Sequence, residues 1–399
     1  MAEQDTQIPL GGATPSRIRN HNERLLLSII ARQGAVPGSD IARASGLSPQ
    51  TVSVILRKLE QDGLLLRNEP QRRGGVGKPS VPMALDADGL LSIGLKIGRR
   101  TADLLLIDFL GNVRQELHIS YRYPMPDQVF AFLERGLAVF RSGRSAALLD
   151  RTAGIGVAMP FQLWSWFAAL GAPEDDMQKW REIDFAERVS RFSDLPVFIQ
   201  NDATAACRAE HVYGRGKEFS EYAYFFIGSF IGGGVVMNGS VVDGRHGNAG
   251  AFGSIPVATD DGVRQLIDAA SLHLLEARLE AAGINPGEIW DHPHNWDRFG
   301  AQLSPWLDDV SLHLAEAALT VCSVIDFDTI LIDGAFPTDV RTRLVALTAE
   351  RLSDLDMRGL VRPEIVAGEV GSNARALGAA IAPIDRQYFL DGNAGFAAG

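Results

Sequence analysis

The chain has 399 residues, of which 46% are hydrophobic and 22% are charged, and its formal net charge is -11. This length suits two or three globular domains, and the acidity excludes a protein that is basic throughout. The charge is uneven, because residues 1–80 carry 11 Lys and Arg against 7 Asp and Glu, whereas the remainder carries 27 against 42. A cationic module on an acidic body is typical of a DNA-binding head on a body that avoids DNA.

The remaining composition indicates a reducing, aqueous compartment. Cys207 and Cys322 lie outside any CxxC or metal-type spacing, so we expect reduced, structural thiols. The sequence has no apolar run long enough for a membrane span, and residues 1–16 lack the basic and apolar regions of a signal peptide. We therefore expect a cytoplasmic protein with a disordered tail over residues 1–16.

Residues 20–33 and 39–63 have the pattern of a DNA-binding head. The first segment predicts a helix, and the second predicts two short helices joined by a tight turn. Ala42, Gly46 and Val52 follow the spacing A-x3-G-x5-V, in which a small residue allows close packing and glycine allows a positive φ at the turn. This arrangement is typical of a helix-turn-helix.

The second helix of this motif is predicted to have one buried face and one face for DNA. Ser48 suits the N-cap, and Gly63 suits the C-terminal stop. Its apolar positions recur at i, i+3, i+4 and i+7, namely Val52, Ile55, Leu56 and Leu59. The outward positions carry side chains that bind base edges or phosphates, namely Gln50, Thr51, Ser53, Arg57 and Lys58. The alternative is an ordinary helical hairpin with a polar outer face.

A β-hairpin after this helix completes a predicted winged helix-turn-helix domain over residues 17–86. Residues 64–66 start a strand, and residues 80–85 form its return. The connection is rich in Gly and Arg, and the cations of its tip are Arg72, Arg73 and Lys78. We predict that this tip binds a phosphate backbone or enters a minor groove, whereas the alternative is a solvated basic loop.

Residues 87–399 alternate strands with helices, which predicts an α/β body. Two lobes built in this way would hold a small ligand in the cleft between them. The predicted strands cover residues 91–98, 101–108, 153–160, 196–200, 222–227, 234–238 and 329–334. One helix is predicted within residues 123–143, and another from Asp202 to His211.

Several motifs of this body resemble the ROK family, named for its repressors, open reading frames and kinases. They are GIGVAMP at 154–160, QNDATAA at 200–206, IGSFIGGGVVMNGSVVDGRHGNAGAFGS at 227–254 and LGAAIAP at 377–383. With its winged head, the chain is similar to the sugar-responsive repressors of this family, those of the N-acetylglucosamine and xylose type. The resemblance implies a two-lobed, actin-like sugar kinase fold that assembles as dimers or tetramers.

The glycine turns depart from those of ROK kinases, in which they hold nucleotide phosphate and magnesium. Lys96 stands where the kinases carry a carboxylate, and a lysine cannot organise magnesium around ATP. Phe230 lies in the turn that matches GTGIG, where it would crowd an approaching phosphate. Asp202 matches the kinase base, but without a phosphoryl donor we predict that it accepts a hydrogen bond from a ligand hydroxyl. We therefore predict no enzymatic activity and no cofactor.

The sugar site implied by the resemblance is altered as well. Ala251 and Ser254 replace the Glu and His of the family's AGEIGH segment, and the CxCGxxGCxE run is missing, so we expect no structural zinc. The sequence predicts Gly232–Gly234 as a turn of the cleft. The predicted ligand-binding residues are Asn201, Asp202, Gly233, Arg245, His246 and Asn248. The alternative for Asn201 and Asp202 is that they cap the following helix and complement its dipole.

Together these features predict a transcription regulator that represses carbohydrate uptake or catabolism genes. The expected partners are operator DNA and a carbohydrate-like small molecule in the cleft. We expect no association with a membrane. As a homodimer or homotetramer, the protein would place two heads on the half-sites of a palindrome. Two alternatives stay open, namely a ROK sugar kinase with an added DNA-binding head and a regulator that a protein partner controls.

Overall fold

The computed structural model describes residues 15–70, 80–143, 145–167, 171–291 and 295–391. The α-helices of this part of the chain are α1 (Pro15–Gln33), α2 (Gly38–Ser45), α3 (Pro49–Gln61), α4 (Pro126–Ser142), α5 (Glu174–Gln178), α6 (Phe185–Ser190), α7 (Asp202–Tyr213), α8 (Leu272–Ala281), α9 (Glu288–Asp291), α10 (Gly300–Val324), α11 (Thr338–Asp354) and α12 (Ala374–Tyr388). The strands are β1 (Val36–Pro37), β2 (Leu65–Arg67), β3 (Pro82–Leu85), β4 (Leu91–Ile97), β5 (Thr101–Asp108), β6 (Val113–Ser120), β7 (Thr152–Met159), β8 (Val197–Asn201), β9 (Tyr222–Ile227), β10 (Ile231–Met237), β11 (Ser240–Val241), β12 (Pro256–Thr259), β13 (Gly262–Gln265), β14 (Thr329–Gly334) and β15 (Glu364–Ala367).

The N-terminal elements form the predicted winged helix-turn-helix. Helices α1, α2 and α3 pack on one another, and the antiparallel sheet has the strand order β1-β3-β2. The hairpin β2–β3 is the wing, but the cations predicted at its tip lie outside the described residues, namely Arg72, Arg73 and Lys78. Helix α1 begins at Pro15 rather than at residue 20, so Pro15 and Ser16 are helical and not part of a tail.

The body consists of two lobes, each built on a five-stranded sheet. The first sheet has the order β6-β5-β4-β7-β8, and the second has the order β11-β10-β9-β14-β15. In each sheet, the first three strands pair with one another in antiparallel, and the last two strands continue the sheet in parallel from the third. The two lobes therefore share one topology, as the predicted α/β body requires.

Helices α7 and α12 pack against each other between the two sheets. Small residues permit this close approach. A Cβ atom at Gly378 would lie 1.7 Å from the carbonyl oxygen of Ala205, and one at Gly156 would lie 1.8 Å from that of Ala379. A larger side chain at either glycine would force the backbones apart, so these positions fix how the lobes meet.

The head is docked on the body through a shared hydrophobic core. Leu26, Leu27 and Ile30 of α1 belong to the same buried cluster as Phe109 and Phe389 of the body. Removing this apolar surface from water is the main force that holds the head in place. The orientation of α1 is therefore set by the body as well as by the head.

Hydrogen bonds fix the same interface. Arg24 of α1 donates to carbonyl oxygens at the C-terminal end of α12, and the amide of Leu390 donates to the Ser28 hydroxyl at 2.7 Å. Arg32, in the last turn of α1, donates to the carbonyl oxygen of Gly239, at the tip of the β10–β11 hairpin. Both lobes thus contact the head.

The prediction that Gly232–Gly234 form a turn is wrong. Strand β10 begins at Ile231, and all three glycines pair with β9. Their missing side chains make room for neighbours, because a Cβ at Gly232 would lie 2.6 Å from Ala203 and one at Gly234 would lie 2.5 Å from Cys207. The glycine run therefore lets α7 pack directly on the strand.

Candidate DNA-binding face and ligand cleft

Helix α3 has the ends and the buried face that its sequence predicts. The Ser48 hydroxyl accepts a hydrogen bond from the amide of Thr51 at 3.1 Å, which caps the first turn. At the other end, Gly63 adopts a φ of 72°, and the Leu64 amide donates to the Leu59 carbonyl at 2.9 Å. The predicted core side chains are buried, namely Val52, Ile55, Leu56 and Leu59. One face of α3 is thereby fixed against the core of the head.

The opposite face of α3 exposes four of the five predicted DNA-binding side chains, namely Gln50, Ser53, Arg57 and Lys58. Thr51 is half-buried, and its hydroxyl lies 2.8 Å from that of Ser48. The Lys58 ammonium lies 2.7 Å from the Glu23 carboxylate of α1, on the flank of the face. Sequence reasoning missed Val54, which is exposed among these polar side chains, because it considered only polar readers. The sequence did indicate its exposure, because Val54 is not one of the apolar positions that recur on the buried face of α3.

An ion pair joins β4 and β5 beside the first glycine turn, at the position where the resemblance implies a kinase carboxylate. Lys96 is 8% exposed, and its ammonium lies 2.8 Å from both the Asp103 carboxylate and the Thr101 hydroxyl. Burial lowers the pKa of Lys96, although the charge of Asp103 opposes this shift. Burial acts to raise the pKa of Asp103, but Lys96 and His118 hold that pKa below its ordinary value. The cation beside this turn is therefore already paired.

The second glycine turn is filled by an aromatic cluster. The Phe230 ring lies 5.2 Å from the ring of Trp166 and 5.3 Å from that of His273, measured between centroids. The Arg99 guanidinium lies 5.6 Å from the Phe230 ring centroid and 3.4 Å from the Glu276 carboxylate. Arg99 and Trp166 belong to the first lobe. Their partners belong to the second lobe, namely Phe230, His273 and Glu276, so these contacts join the lobes.

Asn201 and Asp202 lie at the start of α7, between the lobes. The Asn201 side-chain oxygen accepts hydrogen bonds from the amides of Ala203 at 2.9 Å and Thr204 at 3.2 Å, so this residue is the helix cap. The Asp202 carboxylate lies 3.2 Å from the guanidinium of Arg375, and both side chains are mostly buried. The cap role that the sequence left open for Asn201 is confirmed.

Sequence reasoning did not identify Arg375 as a residue of this site. It lies in the first turn of α12, 173 positions from Asp202 along the chain, so no local pattern could have paired them. Its guanidinium stands 5.2 Å from the centroid of the Phe226 ring. The Nε atom of Arg375 is buried without a hydrogen-bond partner among the described residues, which leaves one donor unused beside the carboxylate.

The remaining predicted ligand residues lie in or beside one loop. Gly233 is buried within β10, where a Cβ atom would lie 2.3 Å from the Phe252 ring. Arg245 and His246 are exposed, and Asn248 is half-buried. The structure thus brings Asp202 and Arg375 together, and it places Arg245 and His246 at the surface.

A buried arginine connects this loop to α12. Arg208 of α7 donates to the side-chain oxygen of Gln200 at 3.1 Å and to the Asp243 carboxylate at 2.7 Å, and it also pairs with Asp385. Asp243 in turn lies 2.9 Å from the guanidinium of Arg386. The loop that carries Arg245 and His246 is therefore tied to the helix end that contacts the head.

No group of three or more His, Cys, Asp or Glu side chains within the described ranges could hold a metal ion. Residues 262–271, which begin with strand β13, stand where the resemblance would place a zinc-binding cysteine run, and they contain no cysteine. The chain therefore does not fit that zinc site. Across the same part of the chain, no helix is both long and apolar enough to cross a bilayer.

A winged head with an exposed recognition helix, joined to a two-lobed body, defines a transcription regulator with a kinase-like body. Family models agree with this class. The chain matches the MarR family over residues 20–71 and the ROK family over residues 92–385. The protein belongs to the ROK family, and its body has the actin-like kinase fold of that family.

Repressors are among the relatives that the chain is similar to. The chain is 26% identical to the N-acetylglucosamine repressor of Escherichia coli O157:H7 and 25% identical to the xylose repressor of Bacillus spizizenii strain W23. These matches cover 60% of this chain and about three fifths of each repressor, 58% and 61% respectively. A ROK family transcriptional regulator homologous to the MLC protein of E. coli has the same fold, with a TM-score of 0.67, 20% identity and coverage of 96% of this chain and 99% of its own.

Proposed function

We propose that the protein is a cytoplasmic repressor of carbohydrate uptake or catabolism genes, which binds operator DNA and responds to a sugar-like effector. The observation that carries this proposal is helix α3, whose exposed face presents Gln50, Ser53 and Arg57 opposite a fully buried face. Such side chains hydrogen bond to base edges and phosphates in the major groove. The N-acetylglucosamine and xylose repressors among its relatives support the same function.

The effector would bind between the lobes, beside Asp202 and Arg375. A carboxylate and an unused guanidinium N–H offer an acceptor and a donor for neighbouring hydroxyl groups. Such a ligand would act on the head through the Asp243 network and through the contact of Arg32 with Gly239. In a homodimer or homotetramer, a change in the angle between lobes would alter the spacing of two heads on an operator.

We further propose that kinase activity is lost. Lys96 already forms an ion pair where a metal-binding carboxylate would be needed, and Phe230 occupies the turn that would hold phosphate. The alternative, a ROK sugar kinase with an added head, requires ATP turnover in the presence of a sugar. The third possibility is control by a protein partner, which requires no small effector.

The proposal is tested by fluorescence anisotropy of the full-length protein on DNA from upstream of its own gene, with a panel of sugars, polyols and sugar phosphates. We expect tight, salt-sensitive binding that one compound releases. Tight binding that no compound changes would favour control by a protein partner. If no binding to DNA occurs, the regulator proposal fails, and a sugar-dependent ATPase assay then tests the kinase alternative.

Replacing Asp202 with asparagine tests the effector site. We expect Asp202→Asn to retain DNA affinity within about twofold but to weaken the response to the releasing compound by roughly tenfold, because a charged acceptor is worth about 1.5–3 kcal/mol in a buried hydrogen bond. Dose–response curves in the anisotropy assay measure both quantities. The matched control is Asp339→Asn, an exposed aspartate in the first turn of α11. An unchanged response in Asp202→Asn would show that Asp202 only complements the helix dipole.

Replacing Asp243 with asparagine tests the connection between cleft and head. The change removes the ion pairs of Asp243 with Arg208 and Arg386. Allosteric coupling is typically about 1–3 kcal/mol. We therefore expect the compound to bind the variant normally, whereas the factor by which it changes DNA affinity should be roughly tenfold smaller than in the wild type. Isothermal titration of the compound and anisotropy of the DNA separate these two effects. Asp261→Asn, in the exposed β12–β13 turn, is the control.

A further inference from the structure

We propose that Val54 determines base specificity by contacting the 5-methyl group of a thymine in the major groove, an inference that rests on the proposed DNA-binding function. Val54 is 62% exposed on α3. It is one helical turn from Gln50 on one side and from Arg57 on the other, so the three side chains form a single ridge. This ridge points away from the buried face that packs on the head.

The position of Val54 has no explanation in the packing of the head. The neighbouring core positions Val52 and Ile55 are 1% and 7% exposed, so the helix needs no further apolar residue to hold it. An exposed valine is also an unfavourable choice in a helix, because its branched Cβ restricts the side chain there. Single exposed apolar residues are common on protein surfaces, but this one lies at the centre of a polar, cationic ridge.

Base chemistry identifies what such a side chain contacts. Thymine is the base that presents a methyl group in the major groove, and apolar side chains recognise it by direct contact. Val54 is the sixth residue of α3, within the N-terminal half that contacts base edges in helix-turn-helix proteins. The restricted rotamer of valine presents its methyl groups with little loss of side-chain entropy on binding.

The test uses the full-length protein and duplexes that it selects from a random-sequence pool. Each thymine of one half-site is replaced in turn with deoxyuridine, which removes only the methyl group, and affinity is measured by anisotropy. Burial of one methyl-sized group is worth about 0.8 kcal/mol, so at one thymine we expect the wild type to lose affinity about fourfold. Val54→Ala should bind the thymine duplex more weakly and be indifferent to that replacement.

Two controls keep the outcome unambiguous. Val324→Ala changes another exposed valine, 78% exposed at the end of α10, and should retain the wild-type sensitivity to deoxyuridine. Circular dichroism should show that Val54→Ala is folded, since alanine favours a helix. The proposal is overturned if the wild type and Val54→Ala respond identically at every thymine. It falls together with the proposed function if the wild type shows no salt-sensitive binding to any duplex.

Discussion

Arg341→Ala is expected to lower the free energy of unfolding by about 3–5 kcal/mol, because it leaves a buried carboxylate without its partner. The Arg341 guanidinium lies 3.1 Å from Asp333, which is fully buried on β14, and it also donates to the carbonyl of Gly368. The amides of Gly334 and Gly371 each bond Asp333 at 2.8 Å and remain after the change. Urea denaturation followed by tryptophan fluorescence measures the loss, since Trp296 and Trp306 are buried in the same lobe.

The free energy of unfolding that Arg341→Ala loses should depend on pH. Burial raises the pKa of Asp333 to about 6, above its ordinary value, while Arg341 acts to lower it. A group with a raised pKa in the folded state favours folding when protonated, and this contribution declines as the pH rises through 6. Without Arg341 the pKa should rise further, so the penalty should be larger at pH 8 than at pH 5.

Two variants serve as controls for this prediction. Arg343→Ala removes an exposed arginine two positions along α11 and should cost less than about 0.5 kcal/mol. Made in an Asp333→Asn background, Arg341→Ala should cost the same free energy of unfolding at both pH values, because the titrating carboxyl group is gone. Equal losses for Arg341→Ala at both pH values would contradict a role for the charge of Asp333.

Arg57→Ala is expected to weaken binding to a selected operator by about 1–3 kcal/mol and to relax specificity at one base pair, because a bidentate arginine–guanine contact is lost. Arg57 is exposed on the ridge of α3 and lies one turn from Val54. Anisotropy on the operator and on its single-base variants measures both effects. Binding to random DNA should change far less than binding to the operator.

Arg57→Lys distinguishes base reading from a phosphate contact at this position. Lysine keeps the charge but cannot form the planar, bidentate pair. If Arg57 reads a base, the lysine variant should lose specificity almost as fully as the alanine variant while retaining the salt dependence of the wild type. Operator affinity close to that of the wild type in Arg57→Lys would assign Arg57 to a phosphate.

The head could be predicted from sequence because its signals are local. The signals for α3 lie within a few turns of one another, namely Ser48, Gly63 and the recurring apolar positions. Each of them predicts the same local structure in most folds. The glycine run at 232–234 was misinterpreted because glycines are typical of turns, whereas here they make room for α7 against β10. That requirement is tertiary and leaves no local trace.

The cleft was harder to predict for the same reason. The sequence singled out Asp202 but not Arg375, and Lys96 but not its partner Asp103 on the next strand. The partner of a buried charge is set by how strands and helices are arranged in space. Strand β15 and helices α8 to α12 were not predicted at all, although α12 supplies Arg375 and the end that docks the head.

The core shared by α1 and the body limits how this regulator can exchange parts with others. Leu26, Leu27 and Ile30 would face water if the head were grafted onto an unrelated body, unless that body offered surfaces equivalent to Phe109 and Phe389. A functional chimera would have to carry the C-terminal end of α12 along with the head. The outer face of α3 is under no such restriction, so a lineage could change its operator by substitutions there while its docking surface stayed the same.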